Sequence, residues 1–184
     1  NSKHKLVFAN ILNAMGRCSR SQGDYSSSIT YHSRSLAIKE ELGDIKGISI
    51  TLNNLGLALE SQGDYARAIE YYMRSLVMKE KLGDQQIIAV ALNNIGKLHK
   101  KQQNYARAYD YYTRSLAILE KSGNRKRIAL SLNNIGNIYR LSGDFAEAIK
   151  YYSRSLAIAE EISEKKTIAI TVGNFANVYV DQGD

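Results

Sequence analysis

The segment TLNNLGLALESQGDYARAIEYYMRSLVMKE, residues 51–80, decides the fold. Against SLNNIGNIYRLSGDFAEAIKYYSRSLAIAE, residues 131–160, it matches at 15 of 30 positions, two steps of a 40-residue period away. The same step runs through the chain. Gly23-Asp24-Tyr25 is followed by Gly63-Asp64-Tyr65, Gln103-Asn104-Tyr105, Gly143-Asp144-Phe145 and Gly183-Asp184. Arg-Ser-Leu starts at Arg34, Arg74, Arg114 and Arg154, and Leu-Asn-Asn-(Leu/Ile)-Gly at Leu52, Leu92 and Leu132. Self-similarity at such a period marks a repeat architecture.

Each period holds two helical patterns. From Ile48 to Gln62, an apolar stripe runs through Leu52, Leu55, Gly56 and Leu59 at helical spacing. Gly63-Asp64 ends it, the glycine suiting a left-handed residue past a helix end and the aspartate an N-cap. A second helix spans about Tyr65 to Leu82, with Ala68, Ile69, Tyr72, Ser75 and Leu76 facing inward, and Gly83-Asp84 closes the period. In the last repeat Ser163-Glu164 stands there instead, which predicts a looser turn. Gly56, Gly96 and Gly136 lie mid-helix, where glycine costs about 1 kcal/mol relative to alanine. A cost repeated at one register implies a close approach by the second helix, with Ala68, Ala108 and Ala148 as the facing small residues.

Two helices cannot enclose a core alone, so each hairpin must stack on its neighbours. The expected fold is all-α, a right-handed α-solenoid of antiparallel hairpins with about nine helices. It is one repeat domain over residues 1–184, with repeats at 5–44, 45–84, 85–124 and 125–164 and a half repeat at 165–184. Ending where a second helix should begin suggests part of a longer array. The Val172, Phe175 and Tyr179 stripe of the last helix is then an expected self-association surface.

The pattern Leu-Asn-Asn-Ile-Gly, then Gly-Asp-Tyr-x-x-Ala-Ile-x-Tyr-Tyr, then Arg-Ser-Leu resembles the tetratricopeptide repeat along essentially the whole chain. The period of 40 and the absence of proline depart from the common 34-residue form. In this the chain is similar to the repeats of kinesin light chains, Pins-type scaffolds and bacterial sensor proteins. The resemblance implies a protein-interaction scaffold whose concave groove, lined by the first helices, takes a peptide or helix of a partner. It also implies that the asparagine two residues before the helix glycine contacts ligand backbone.

Opposite the core stripe, the helical wheel places Ile50, Asn54, Leu57 and Ser61. The equivalent sets are Asn10, Ala14, Arg17 and Ser21; Val90, Asn94, Lys97 and Lys101; Leu130, Asn134, Asn137 and Leu141; Ile170, Asn174, Asn177 and Asp181. The ladder Asn54, Asn94, Asn134, Asn174 carries donors and acceptors that suit a bound peptide backbone, and equally suit bonds between adjacent hairpins. Arg17, Arg20, Lys97, Lys100, Lys101 and Arg140 lie on or beside this face. With Leu57, Val90 and Leu130 they favour an acidic or amphipathic peptide.

Lys and Arg number 25 against 18 Asp and Glu, a net charge of +7 spread over every repeat. Nucleic-acid binding is therefore an alternative, weaker than peptide binding because no dense basic block occurs. A regulatory sensor domain within a larger signalling protein is another. The paired tyrosines Tyr71-Tyr72, Tyr111-Tyr112 and Tyr151-Tyr152 read as core packing, and Arg34, Arg74, Arg114 and Arg154 as electrostatic bridges between hairpins. His99 reads as packed, and Cys18 as a small buried residue. No phosphate loop, zinc spacing or nucleophile constellation appears, so no enzyme, cofactor or metal is expected. One cysteine fits a reducing, cytoplasmic compartment, with a periplasmic sensor segment compatible as well. No apolar run approaches the ~20 residues needed to span a bilayer.

Overall fold

Left-handed residues punctuate the chain at nearly the 20-residue half-period, and helices fill the intervals. Gly23, Gly43, Gly63, Gly83, Gly123 and Gly143 all have positive φ, and Gln103 and Ser163 adopt the same conformation without being glycine, at φ 60 and 53. The residue after each turn caps the next helix. Asp24, Asp44, Asp64, Asn104, Asn124 and Asp144 accept the N–H three residues on, at 2.9–3.3 Å. The turn at Ser163-Glu164 keeps this backbone course, with Glu164 N–H donating to Ala159 O at 2.8 Å. Only the side-chain cap is missing there, so the expected looser turn is not observed.

The computed structural model describes residues 1–183, so the last punctuation residue, Asp184, lies outside the described residues. Among them are nine helices: α1 (Ser2–Ser21), α2 (Tyr25–Leu42), α3 (Ile45–Gln62), α4 (Tyr65–Leu82), α5 (Gln85–Lys101), α6 (Tyr105–Ser122), α7 (Arg125–Leu141), α8 (Phe145–Glu161) and α9 (Lys165–Gln182). They form two compact units, Asn1–Ala91 and Leu92–Asp184.

In the first unit α1 pairs with α2 and α3 with α4, and α2 packs on α3. Leu36, Leu52 and Leu55 are buried together, with Ile29, Ile48, Tyr71 and Met78 around them. In the second unit α7 pairs with α8, α6 packs on α7, and α9 lies against α8 and α7. There Ala148, Tyr152 and Val178 are fully buried, flanked by Tyr139, Phe145, Ile149 and Phe175.

The mid-helix glycines meet a ring first, and the expected alanine only at Gly96, where a Cβ would lie 2.9 Å from Tyr112 and 3.3 Å from Ala108 O. A Cβ on Gly56 would lie 2.6 Å from the Tyr72 ring, and one on Gly136 the same distance from the Tyr152 ring. The facing group is the second tyrosine of each pair; Ala68 and Ala148 are buried beside it. The phenol is too broad for a close helix approach unless the opposing position has no side chain. In the first hairpin His32 takes the tyrosine's place against Gly16, 2.7 Å from the position of a Cβ. A third recurrent contact is polar. The serine of Arg-Ser-Leu donates to a carbonyl of its own hairpin's first helix, Ser35 to Ala9, Ser75 to Ser49 and Ser155 to Ala129, at 2.7–2.8 Å.

Cys18 is exposed, contrary to the expectation of burial. The equivalent Ala58, Ile138 and Val178 are covered because a preceding second helix packs on them. No second helix precedes α1 among the described residues, and Ile11 and Met15 on the same face are 51% and 41% exposed.

Gly136→Ala drives a methyl into the Tyr152 ring and is expected to destabilise by about 1–3 kcal/mol. Gly173→Ala meets open space and should be neutral or stabilising by up to about 1 kcal/mol. Urea denaturation of the two variants checks the pair.

His32 is fully buried, and neither ring nitrogen has a partner among the described residues. Burial, with the Arg17, Arg20 and Lys39 charges around it, lowers its pKa to about 4. Between pH 4 and 6.5 the unfolded chain binds a proton here that the folded chain refuses, so stability falls as the pH falls through that window. The loss is expected to reach about 3 kcal/mol. His32→Tyr, which restores the residue of the other repeats, should remove this dependence in thermal melts across the window.

Candidate functional site

The first helix of each hairpin presents one face away from its partner helix, and the predicted groove residues occupy that face unevenly. In the first unit Ile50 is 44% exposed and Arg17 is exposed, while Leu57 is half-buried. Asn54 is buried at the edge of the face, at 9% exposure. Its Nδ2 donates to Asn13 Oδ1 at 3.1 Å, linking α3 to α1. In the second unit Asn134 Nδ2 donates to Asn93 Oδ1 at 2.9 Å, and Asn174 Nδ2 to Asn133 Oδ1 at 2.5 Å. Asn133 also donates to Thr171 Oγ1 at 2.8 Å.

The double asparagine is thus a relay. The second amide of one hairpin reaches the first amide of the hairpin before it, 41 residues back. Helical spacing puts the two asparagines of one helix about 100° apart, so one points along the stack and its neighbour towards the groove edge. One N–H of the Asn54, Asn134 and Asn174 amides is engaged in this way. Asn94 is half-buried on α5.

Around the ladder the second unit gathers charge. Lys97 and Lys100 are half-buried on α5 and Lys101 is exposed. The Lys100 ammonium is held below its usual range, first by burial and then by the charges of Arg140, Lys97 and Lys101. Arg140, on α7, forms an ion pair with Asp181 on α9. Asn137 is tied back, donating to Asn133 O at 3.1 Å and accepting from the Tyr152 hydroxyl at 3.1 Å. Asn177 is exposed. Apolar surface lies alongside: Leu130, Leu141 and Ile170 are 37–42% exposed, and Val90, in the first unit, is half-buried.

The remaining sequence candidates fall outside this face. Tyr72, Tyr112 and Tyr152 are in the core, and their partners Tyr71, Tyr111 and Tyr151 lie beneath Arg74, Arg114 and Arg154, 5.4–5.8 Å from guanidinium carbon to ring centre. Arg74 pairs with Glu40 at 3.1 Å and Arg154 with Glu120 at 3.5 Å, each bridging successive second helices. His99 is 4% exposed and stacks on Tyr111. No group of three or more metal-ligating side chains occurs among the described residues, and no helix among them is long and apolar enough to cross a membrane.

Sequence reasoning missed two buried lysines. Lys39 is 2% exposed with its ammonium 3.2 Å from Thr51 Oγ1, and Lys79 is 7% exposed and 3.4 Å from Asn53 Oδ1. Burial lowers both pKa values. The available signal was register: the later repeats carry Leu119 and Ala159 there.

Asn133→Ala removes the acceptor of Asn174 and the donor to Thr171 at a site 3% exposed. It is expected to destabilise the second unit by about 1–3 kcal/mol. Asn177→Ala, on an exposed position, should shift the melting temperature little.

The model of the tetratricopeptide repeat family matches residues 7–81, 87–161 and 127–184. No curated protein sequence matches the chain. Among solved structures, it is similar to BtubC from P. vanneervenii, with TM-score 0.77 and 23% identity, covering 84% of this chain and 64% of that one. It is also similar to the nearly identical TPR-like repeats designated kinesin light chain from Podosopora anserina, with TM-score 0.78, 14% identity and coverages of 95% and 86%. A third is a Rap protein complexed with Competence and Sporulation Factor, with TM-score 0.75, 18% identity and coverages of 90% and 46%. The chain thus spans about two thirds of BtubC and under half of that Rap protein. The 40-residue rhythm, the paired helices and the family match together make the chain a member of the tetratricopeptide repeat family.

Proposed function

We propose that the chain is a protein-interaction scaffold without catalysis of its own, and that the α5/α7 face of the second unit takes an acidic amphipathic peptide or helix. The observation that carries the reading is the concentration of positive charge on one face, with Lys97, Lys100 and Arg140 on half-buried positions and Lys101 exposed beside them. Burial and then these charges hold the Lys100 ammonium below its usual range, an effect that an incoming carboxylate would oppose. Such a cluster steers anionic ligands and holds them more strongly than a fully solvated patch. Leu130 and Leu141 beside it give the apolar face of an amphipathic ligand somewhere to rest.

Asn94 and Asn134 flank the same surface. One N–H of the Asn134 amide is committed to Asn93, while its carbonyl and second N–H are the groups a peptide backbone would address. The Rap neighbour is complexed with Competence and Sporulation Factor, which supports a reading in which this fold holds a partner.

Fluorescence anisotropy with a labelled acidic amphipathic peptide tests the reading. Binding should weaken as salt rises, and Lys100→Glu with Lys101→Glu should weaken it by at least about tenfold with helical circular dichroism unchanged. Equal affinity of the double variant would sink the proposal. Competition by bulk RNA at the same concentration as the peptide would transfer the surface to nucleic acid.

A further inference from the structure

One junction of the second unit departs from the repeat in a coordinated way. The start of α6 and the end of α7 form an open cavity of about 360 Å³ lined by Tyr105, Tyr109 and Tyr139 together with Ala106, Ile138, Ser142 and Asp144. One of those rings is an exception. Tyr109 stands where the other second helices carry Ile29, Ile69 and Ile149, while Tyr139 shares its register with Ser19, Leu59, His99 and Tyr179.

The rings are held in place rather than loosely splayed. Tyr139 stacks on Tyr151 with centroids 5.3 Å apart and meets Tyr109 edge-on at 5.6 Å. The charge at the rim is exceptional too. Asp64, in the equivalent turn of the first unit, pairs with Arg67 three residues on, at 2.5 Å. Three residues after Asp144 stands Glu147 in place of an arginine, so Asp144, which lines the cavity, has no cation at that spacing. Glu147 pairs with Lys150, and Asp144 accepts the Glu147 N–H through Oδ1.

We propose that this cavity binds a methylated ammonium group, carried either by a free small molecule of the choline type or by a trimethyllysine side chain. A quaternary ammonium has no N–H to satisfy and a weakly held hydration shell, so it can enter an apolar niche at low desolvation cost. Ring faces then attract its diffuse charge, and a single carboxylate balances it without a rigid geometry. A primary ammonium carries three N–H donors that each need an acceptor, a demand that ring faces do not meet. None of the walls belongs to the groove set, so the site is independent of the peptide-binding reading.

The test is a titration of the full chain with choline, with a peptide bearing trimethyllysine, and with the neutral isostere of choline in which carbon replaces nitrogen. Amide shifts at Tyr105, Tyr109 and Tyr139 report binding. Saturation by choline and by the peptide assigns a small free cation; saturation by the peptide alone assigns a partner side chain. Tyr109→Ile restores the residue of the other repeats and should weaken binding about tenfold. Asp144→Asn keeps a cap of the Asn104 and Asn124 type and should weaken it a few-fold. Equal binding of the neutral isostere, absence of saturable shifts with either cation, or wild-type affinity in Tyr109→Ile would each overturn the proposal.

Discussion

A phenol ring pressed against a glycine in the facing helix is the constraint on which each later hairpin rests. Tyr72 on Gly56 and Tyr152 on Gly136 set the separation of two helices that share few other large contacts at that level. The glycine weakens its own helix by about 1 kcal/mol, and the buried aromatic returns more than that in removed apolar area. Everything farther out depends on this spacing. The serine of Arg-Ser-Leu reaches a carbonyl of the facing helix at 2.7–2.8 Å only because the helices already lie close. The first hairpin shows the same constraint answered by a smaller ring. His32 fills the niche but brings two nitrogens that find no partner among the described residues, so its contribution to stability depends on pH in the acidic range.

Between hairpins the joint is polar. Asparagine to asparagine bonds cross from α3 to α1 and from α9 to α7, at the boundary between packed core and exposed face. An amide there can serve two masters, because it has two protons and two lone pairs. The relay fixes its side-chain rotamer without exhausting its hydrogen-bonding capacity. A preordered amide loses less entropy when a ligand arrives than a free one would. Structural bonding and ligand recognition are thus compatible roles for one residue, and the hydrogen bonds seen within the chain do not choose between them.

The helices and turns were legible in the sequence because they rest on local physics: a glycine needing positive φ, an Asp or Asn cap, and an apolar stripe at 3.6-residue spacing. All nine helix positions follow from those signals among the described residues. The misreadings concern neighbours. Cys18 shares the register of buried residues yet is exposed, since burial there is conferred by a preceding helix. The glycine register was legible but its facing group was not, because spacing within one helix says nothing of which side chain of the other helix arrives. The buried Lys39 and Lys79 escaped notice for a related reason: charge alone suggested solvent, whereas the register places both in the hairpin interface.

Departure from the repeat, more than agreement with it, points to function in a chain of this kind. Positions that set the hairpin spacing are under the same steric demand in every repeat and converge on the same residues. Positions on the outer faces are under no such demand, so a cluster of departures there needs a separate cause. Between residues 97 and 144 the chain exchanges Leu57, Glu60 and Ser61 for Lys97, Lys100 and Lys101, and Ile69 for Tyr109. The lysines gather like charge on one face, and burial together with that charge holds the Lys100 ammonium below its usual range. A tyrosine in place of isoleucine adds a ring with a hydroxyl, and that ring meets Tyr139 edge-on at 5.6 Å. Paired changes that gain nothing for the stack are what selection for a ligand would leave behind, and both clusters fall within the second unit.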